Sequence, residues 1–265
     1  MFDATQDPGG SSSIMSDDLT SEIRRYRSLG NHWKRYVFSR PLCENKRVLD
    51  YGCGYGIGFT AIENCKEYIG LDVDSEAVKW AERNIAHKFP GSRFTTLDEF
   101  KASMVPHSFG AIISFEVIEH VRDVTGYLLF LLENATRGGS IVISTPNGAF
   151  SNHEPSRFRS SYHYDEYSAD ELCDLLKPLG RSFELYKEYR LDRLDRIALK
   201  EMVNLKSDDL PNHSSDRGLF TQLKKGVVGV VSRYFNGPFF YKIEKLEPSE
   251  YGSLNYSTIL SIIHA

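Results

Sequence analysis

Apolar positions follow two different periodicities along this chain. Leu19, Ile23 and Tyr26, then Trp33, Tyr36 and Val37, recur at helical spacing with a break near Gly30, which predicts two helices before the first strand. From Val48 onward short apolar runs alternate with helical patterns. Strands are predicted around 48–50 and over 67–73, 93–97, 109–115 and 140–145, and helices over 75–88 and 127–134. Ser168, with Glu171 three residues on, reads as a capping box opening a helix that stops at Pro178 or Gly180. Two more strand-like segments, 182–189 and 256–263, bring the expected number of strands to seven. Strands alternating with helices argue for a doubly wound, mostly parallel α/β sheet covered on both faces.

The same patterning sets the expected organisation. Residues 1–16 are polar and carry a Pro-Gly-Gly-Ser-Ser-Ser run, so they read as a disordered leader. One domain is expected over 17–265, with N-terminal helices over 17–45 and a polar, helix-rich insertion over 191–253 before the last strand. That insertion carries Phe220, Tyr234 and Phe239 and is expected on the acceptor side of the site.

The segment VLDYGCGYG, residues 48–56, carries the most chemical information. A strand ends in an acidic residue and glycines follow at every second position, so a ligand can approach the main chain closely. Asp72 lies twenty residues after Gly52 at the end of the second strand. A glycine loop paired with a later carboxylate is how doubly wound sheets hold an adenosine ribose. The dinucleotide fingerprint G-x-G-x-x-G fails, because Ile57 or Phe59 stands where its last glycine is required.

Successive motifs, VLDYGCGYG, IGLDVD (69–74), FTTLD (94–98), SFEVIEHV (114–121) and RGGSIVISTPN (137–147), resemble those of class I S-adenosylmethionine-dependent methyltransferases, over roughly residues 47–189. The resemblance implies the Rossmann-like fold and S-adenosyl-L-methionine as cofactor. Asp50 would then hold the ammonium group, while Gly52, Gly54 and Gly56 bring backbone to the methionine part. Asp72 would accept from both ribose hydroxyls, Val73 would offer an apolar face to adenine, and Asp98 would accept from its amino group. Phe115 is expected where the fourth strand meets the pocket.

Nitrogen-directed relatives carry an Asn/Asp-Pro-Pro-aromatic motif after the fourth strand, whereas this chain has Ser114-Phe115-Glu116-Val117. Oxygen is therefore the expected acceptor atom, and its proton needs a base or a metal. Glu116, His120 and His163 are the candidate catalytic groups. Glu116, Glu119 and His120 would share a face of a helical turn. This E-x-x-E-H pattern is similar to the divalent-metal site of ubiquinone O-methyltransferases and of small-RNA 2′-O-methyltransferases. The resemblance implies Glu116, Glu119, His120 and His163 as ligands of magnesium or manganese. The alternative is that Glu119 and His120 brace the turn.

A second resemblance bears on the acceptor. NHWKRYVF (31–38), the STPN turn and His163-Tyr164-Asp165-Glu166-Tyr167 are similar to bacterial methyltransferases associated with surface-polysaccharide biosynthesis. Asn31 stands where that family has glutamate. This implies a sugar, glycan precursor or other small hydroxyl acceptor. His32, Arg35 and Tyr36 suit a packed helix face as well as a cofactor lid.

Composition then narrows the alternatives. With 32 basic and 36 acidic residues and a net charge of −4, the chain lacks the overall footprint of a nucleic-acid binder. An RNA 2′-O-methyltransferase remains the rival enzyme, favoured by Arg157 and Arg159, and a non-catalytic adenosylmethionine-binding scaffold is the rival from another class. Four cysteines without metal or disulfide spacing fit a reducing cytoplasm, no ordinary signal peptide is legible, and residues 227–231 are too short to span a bilayer.

Overall fold

Continuous apolar runs become central strands because a strand covered by helices on both faces buries every side chain. In the computed structural model, which describes residues 18–29, 31–62, 64–103, 105–153, 163–190, 241–253 and 256–265, eight strands form one sheet. They are β1 (Arg47–Tyr51), β2 (Glu67–Asp72), β3 (Ser92–Thr96), β4 (Phe109–Phe115), β5 (Ala135–Pro146), β6 (Phe183–Arg190), β7 (Tyr241–Lys245) and β8 (Thr258–His264). Their order is β3-β2-β1-β4-β5-β8-β6-β7. The first five run parallel, and β8 lies antiparallel between β5 and β6. The chain winds outward from β1 to β3 and then returns to β4 on the other side of β1. That reversal opens a crevice beyond the carboxyl ends of β1 and β4, where doubly wound sheets bind ligands.

Successive strand residues face opposite sides and feed two cores. Leu49, Ile112, Ile141 and Ile143 pack with Tyr127, Leu131 and Leu172 on one face. Val48, Ile113 and Val142 pack with Trp33, Tyr36 and Trp80 on the other. The helices are α1 (Leu19–Leu29), α2 (Asn31–Cys43), α3 (Ser75–Ala81), α4 (Leu97–Ser103), α5 (Val124–Asn134), α6 (Gly148–His153) and α7 (Ala169–Leu176). Asp74 and Asp123 cap α3 and α5 by accepting backbone N–H groups, and the Ser168–Glu171 capping box opens α7 as expected. Among the described residues, no helix is long and apolar enough to cross a membrane.

Two expectations are altered. The sheet has an eighth strand, because Tyr241–Lys245, inside the segment expected to be helical, pairs antiparallel with β6. Its Lys242, Glu244 and Lys245 make it read as a polar insertion, but charged side chains are what blunt an edge strand against further pairing. The third strand ends at Thr96, and Leu97 starts α4 instead. Glu99 accepts from Thr96 N at 3.2 Å and Thr96 Oγ1 accepts from Glu99 N at 3.4 Å, a capping box that draws the chain into a helix. The leader over 1–16, the break at Gly30 and the insertion over 191–240, with its three aromatics, lie outside the described residues.

Arg35 of α2 is wholly buried. Its guanidinium makes a fork with Glu188 of β6, Nε to Oε2 at 2.8 Å and Nη2 to Oε1 at 3.2 Å, and Nη2 also donates to Thr258 Oγ1 of β8 at 3.1 Å. A planar fork matched to a carboxylate is the geometry in which a buried ion pair recovers its desolvation penalty. Glu188→Ala leaves that cation without its bidentate partner and is expected to lower stability by about 3–5 kcal/mol in urea denaturation. A loss below about 1 kcal/mol would mean that the remaining partners suffice.

Candidate active site

Asp50 is the next-to-last residue of β1, has no exposed surface and is paired across the sheet with Gly70 and Ile113. Its Oδ2 accepts from Tyr36 of α2 at 2.8 Å and from Tyr68 of β2 at 2.5 Å. Its Oδ1 is buried and has no hydrogen-bond partner among the described residues. Burial lifts the carboxyl from 3.8 to about 7, although both phenols favour the charged form. A buried acidic oxygen left without a donor fits an incoming ammonium group.

The loop after Asp50 is tied to β2, since the amides of Gly52 and Cys53 both donate to Leu71 O. Gly52 has φ +81°, and a Cβ there would sit 2.3 Å from Val117 Cγ2, so no larger residue fits. Gly54, at φ +53°, has no atom within 4 Å of the Cβ position, so a ligand could approach its backbone there. Gly56 also takes a positive φ. The Gly54 amide donates to Asp72 Oδ2 at 2.7 Å, and Asp74 N donates to Oδ1 at 2.9 Å. Asp72 is thus fixed by backbone, and each oxygen retains a lone pair for a hydroxyl. Val73 beside it is 46% exposed, an apolar face at the crevice. The expected residues therefore fit an adenosine-bearing ligand with an amino-acid tail. Asp98 lies exposed in the first turn of α4. Phe115 is buried at the end of β4, edge-on to Tyr36 at 5.0 Å.

Beyond β4 the structure divides a group that was expected to act together. Glu116 has φ +55°, and the following turn, Ile118–His120, is a 3₁₀ turn rather than an α-helical one. The i, i+3, i+4 argument fails here, and Glu116 does not join the other expected ligands. It turns back toward β5, where its Oε1 accepts from Ser144 Oγ at 2.9 Å and pairs with Arg35 Nη1 at 2.9 Å. Glu119, His120 and His163 do converge, with potential ligand atoms all within 4.8 Å of one another. The His120 and His163 rings meet edge to face at 4.8 Å. Tyr164 N donates to Glu119 O at 2.8 Å, docking the His163 segment onto the turn. Burial and the charge of Glu116 raise the Glu119 carboxyl well above its usual range.

Several contributors were not legible beforehand. Tyr68 gives no signal in the sequence as a partner of Asp50, and Tyr36 reads there as part of a packed helix face or a cofactor lid, with no sign of its bond to Asp50. Glu166 contacts His163 Nδ1 closely, and the His-x-x-Glu spacing was its one visible sign. His32, on the same helix as Arg35, is pushed down to about 4 by burial and by the Arg35 cation, so its imidazole is neutral at physiological pH.

A family model described as a methyltransferase domain matches residues 23–183. A protein of Mycobacterium tuberculosis named as a probable S-adenosylmethionine-dependent methyltransferase is 27% identical over 156 residues, 57% of this chain and 56% of its own length. The chain thus spans little more than half the length of that relative. A ubiquinone biosynthesis O-methyltransferase of Nitrosospira multiformis is 26% identical over 183 residues, 68% of this chain and 72% of its own. Among solved structures, an S-adenosylmethionine-dependent methyltransferase of Archaeoglobus fulgidus superimposes with a TM-score of 0.56 at 16% identity, covering 91% of this chain and 94% of its own. At that identity the likeness is one of fold.

The Asp50 site has a measurable pH signature. A carboxyl raised from 3.8 to about 7 in the fold favours folding below the lower value and loses that contribution as pH rises through the upper one. Asp50→Asn cannot ionise, so its stability relative to the wild type is expected to improve between about pH 4 and about pH 7, by up to about 1.4 kcal/mol per unit, and to level off above that. Equal pH slopes in urea denaturation would contradict the shift.

Proposed function

The chain belongs to this methyltransferase-domain family, and from that premise we propose that it is a cytoplasmic S-adenosyl-L-methionine-dependent O-methyltransferase acting on a sugar or other small hydroxyl acceptor in glycan or metabolite biosynthesis. One observation supports the reading: Asp50 with its unpartnered Oδ1, the open backbone at Gly54 and the backbone-fixed Asp72 lie together at the carboxyl ends of β1 and β2, where the cofactor's ammonium, methionine part and ribose would each find a partner. Bound S-adenosylmethionine supplies a methyl group made electrophilic by its sulfonium. Asp50 receives the ammonium through Oδ1, and Tyr36 and Tyr68 hold the carboxylate in place. The Gly54 backbone lies against the methionine part, Asp72 accepts from the ribose hydroxyls, and Val73 covers an adenine face.

On the acceptor side, Glu116, His120 and His163 supply proton-accepting groups at the carboxyl end of β4. The hydroxyl oxygen takes the methyl group in line as its proton leaves to one of them, which gives a methyl ether and S-adenosylhomocysteine. An oxygen acceptor is supported by the absence of the amine-directed motif after β4 and by the ubiquinone O-methyltransferase relative. The sugar assignment rests on the α2 motif and the His163 segment. RNA is disfavoured by the net charge of −4.

Two measurements check this reading. Asp72→Ala should weaken S-adenosylhomocysteine binding more than about a hundredfold in calorimetry, because two hydrogen bonds to a charged acceptor are lost together. Near-normal affinity would refute the ribose assignment. With methyl-tritiated S-adenosylmethionine, label is expected in nucleotide sugars or glycan precursors, in preference to catechols and small RNA. Preferential label in RNA would overturn the sugar assignment, and intact cofactor binding with no transfer to any acceptor would favour a scaffold.

A further inference from the structure

The two segments that bring His120 and His163 together carry a second pair just beyond them. Arg122 follows His120 by two residues and Tyr164 follows His163 directly, and the Arg122 guanidinium lies over the Tyr164 ring with Cζ 4.6 Å from its centroid. Both residues are exposed, Tyr164 at 41%, and the bond from the Tyr164 amide to Glu119 O ties that residue to the turn after β4. The pair therefore stands beyond the carboxyl end of β4, beside the groups assigned to the acceptor side.

No carboxylate neutralises this cation. Arg35 and Arg47 face Glu188 and Glu67, whereas Arg122 makes no ion pair among the described residues. Three carboxylates close by are turned elsewhere: Asp123 Oδ1 accepts from Gly126 N at 2.9 Å to cap α5, and Glu119 and Glu166 are buried. Stacking on an aromatic ring engages the flat side of a guanidinium and leaves its N–H donors, which lie in its plane, free around the edge. An arginine already held by a ring also loses less freedom when a ligand arrives. The result is a fork shaped for two oxygens of a carboxylate or phosphate.

We propose that Arg122 and Tyr164 form a recognition site for an oxyanion carried by the acceptor, so that the preferred substrates are anionic sugars. The phosphate of a nucleotide sugar or the carboxylate of a sugar acid would sit in the guanidinium fork, and Tyr164 is the positioning residue that holds the fork. The substrate class rests on the hydroxyl methylation proposed above, whereas anion binding at the pair does not. Binding the charge beside the site orients the acceptor toward the methyl donor, so acceptor affinity should depend on Arg122 while cofactor affinity does not.

The test uses the full chain loaded with S-adenosylhomocysteine and three probes that share one sugar: UDP-glucose, glucuronate and glucose. Calorimetry should show at least one charged probe bound about tenfold or more tighter than glucose, and which one binds separates phosphate from carboxylate as the source. Arg122→Ala should remove that preference while S-adenosylhomocysteine affinity stays within about twofold. Arg122→Lys keeps the charge without the planar fork and should recover the preference only in part. Tyr164→Phe retains the ring and should stay within about threefold of wild type, with Tyr164→Ala falling below it. A purely structural contact would lower the melting temperature of these variants and leave the preference for charge intact. Should Arg122→Ala fail to fold by circular dichroism, Arg122→Lys and Tyr164→Ala carry the test. Failure of both charged probes to outbind glucose, a preference that survives Arg122→Ala, or tighter binding of a short single-stranded RNA than of either charged sugar would each overturn the proposal. Methyl transfer on the same samples separates the readings. An Arg122-dependent preference for charge without transfer to any hydroxyl refutes the hydroxyl methylation and leaves the anion site standing, whereas transfer to a neutral hydroxyl with a KM unaltered by Arg122→Ala refutes the anion site alone.

Discussion

The Arg35 guanidinium, buried without exposed surface, meets Glu188 on β6, Thr258 on β8, and Ser144 and Glu116 at the carboxyl end of β4–β5. A cation in a low-dielectric interior is tolerated only where its charge and donors are met, so α2 has one position in which Arg35 can be buried. Its neighbour Tyr36 is thereby set against Asp50, and the same guanidinium holds Glu116 beside Ser144 of β5. One helix before the sheet thus organises both halves of the site.

A buried ion network joins the face of α2 to the sheet, and the helix packs there beside the end of β1. Asp50 depends on it directly. Tyr36 and Tyr68 occupy one oxygen and leave the other for a ligand, and burial makes that oxygen less acidic than an exposed carboxylate. The cofactor side is correspondingly preorganised, with Asp72 held by two backbone amides before any ribose arrives.

The fold was legible where local signals agree with global ones. Continuous apolar runs at β1, β4 and β5, the Ser168–Glu171 capping box and the glycines after Asp50 each had a local physical meaning that the tertiary structure kept. Errors arose where a local signal had a second meaning. Thr96-Leu-Asp-Glu99 reads as a strand end until its capping box is noticed. The charges of Tyr241–Lys245 read as an exposed insertion, yet an edge strand carries charge for its own reason.

The sequence by itself determined the doubly wound sheet, the glycine loop and the acidic residues at the ends of β1 and β2, because strand patterning and backbone conformation are properties of short segments. The grouping at Glu116, Glu119, His120 and His163 was decided by the tertiary structure. Spacing along a chain predicts a shared face only if the turn is α-helical, and here a positive φ at Glu116 and a 3₁₀ turn break that geometry. The buried cation of Arg35, distant in sequence, then takes Glu116 for itself, and Glu166 fixes His163 from a segment that meets the turn only in the folded chain. Competition between groups for one carboxylate depends on distance in space, which no local pattern records.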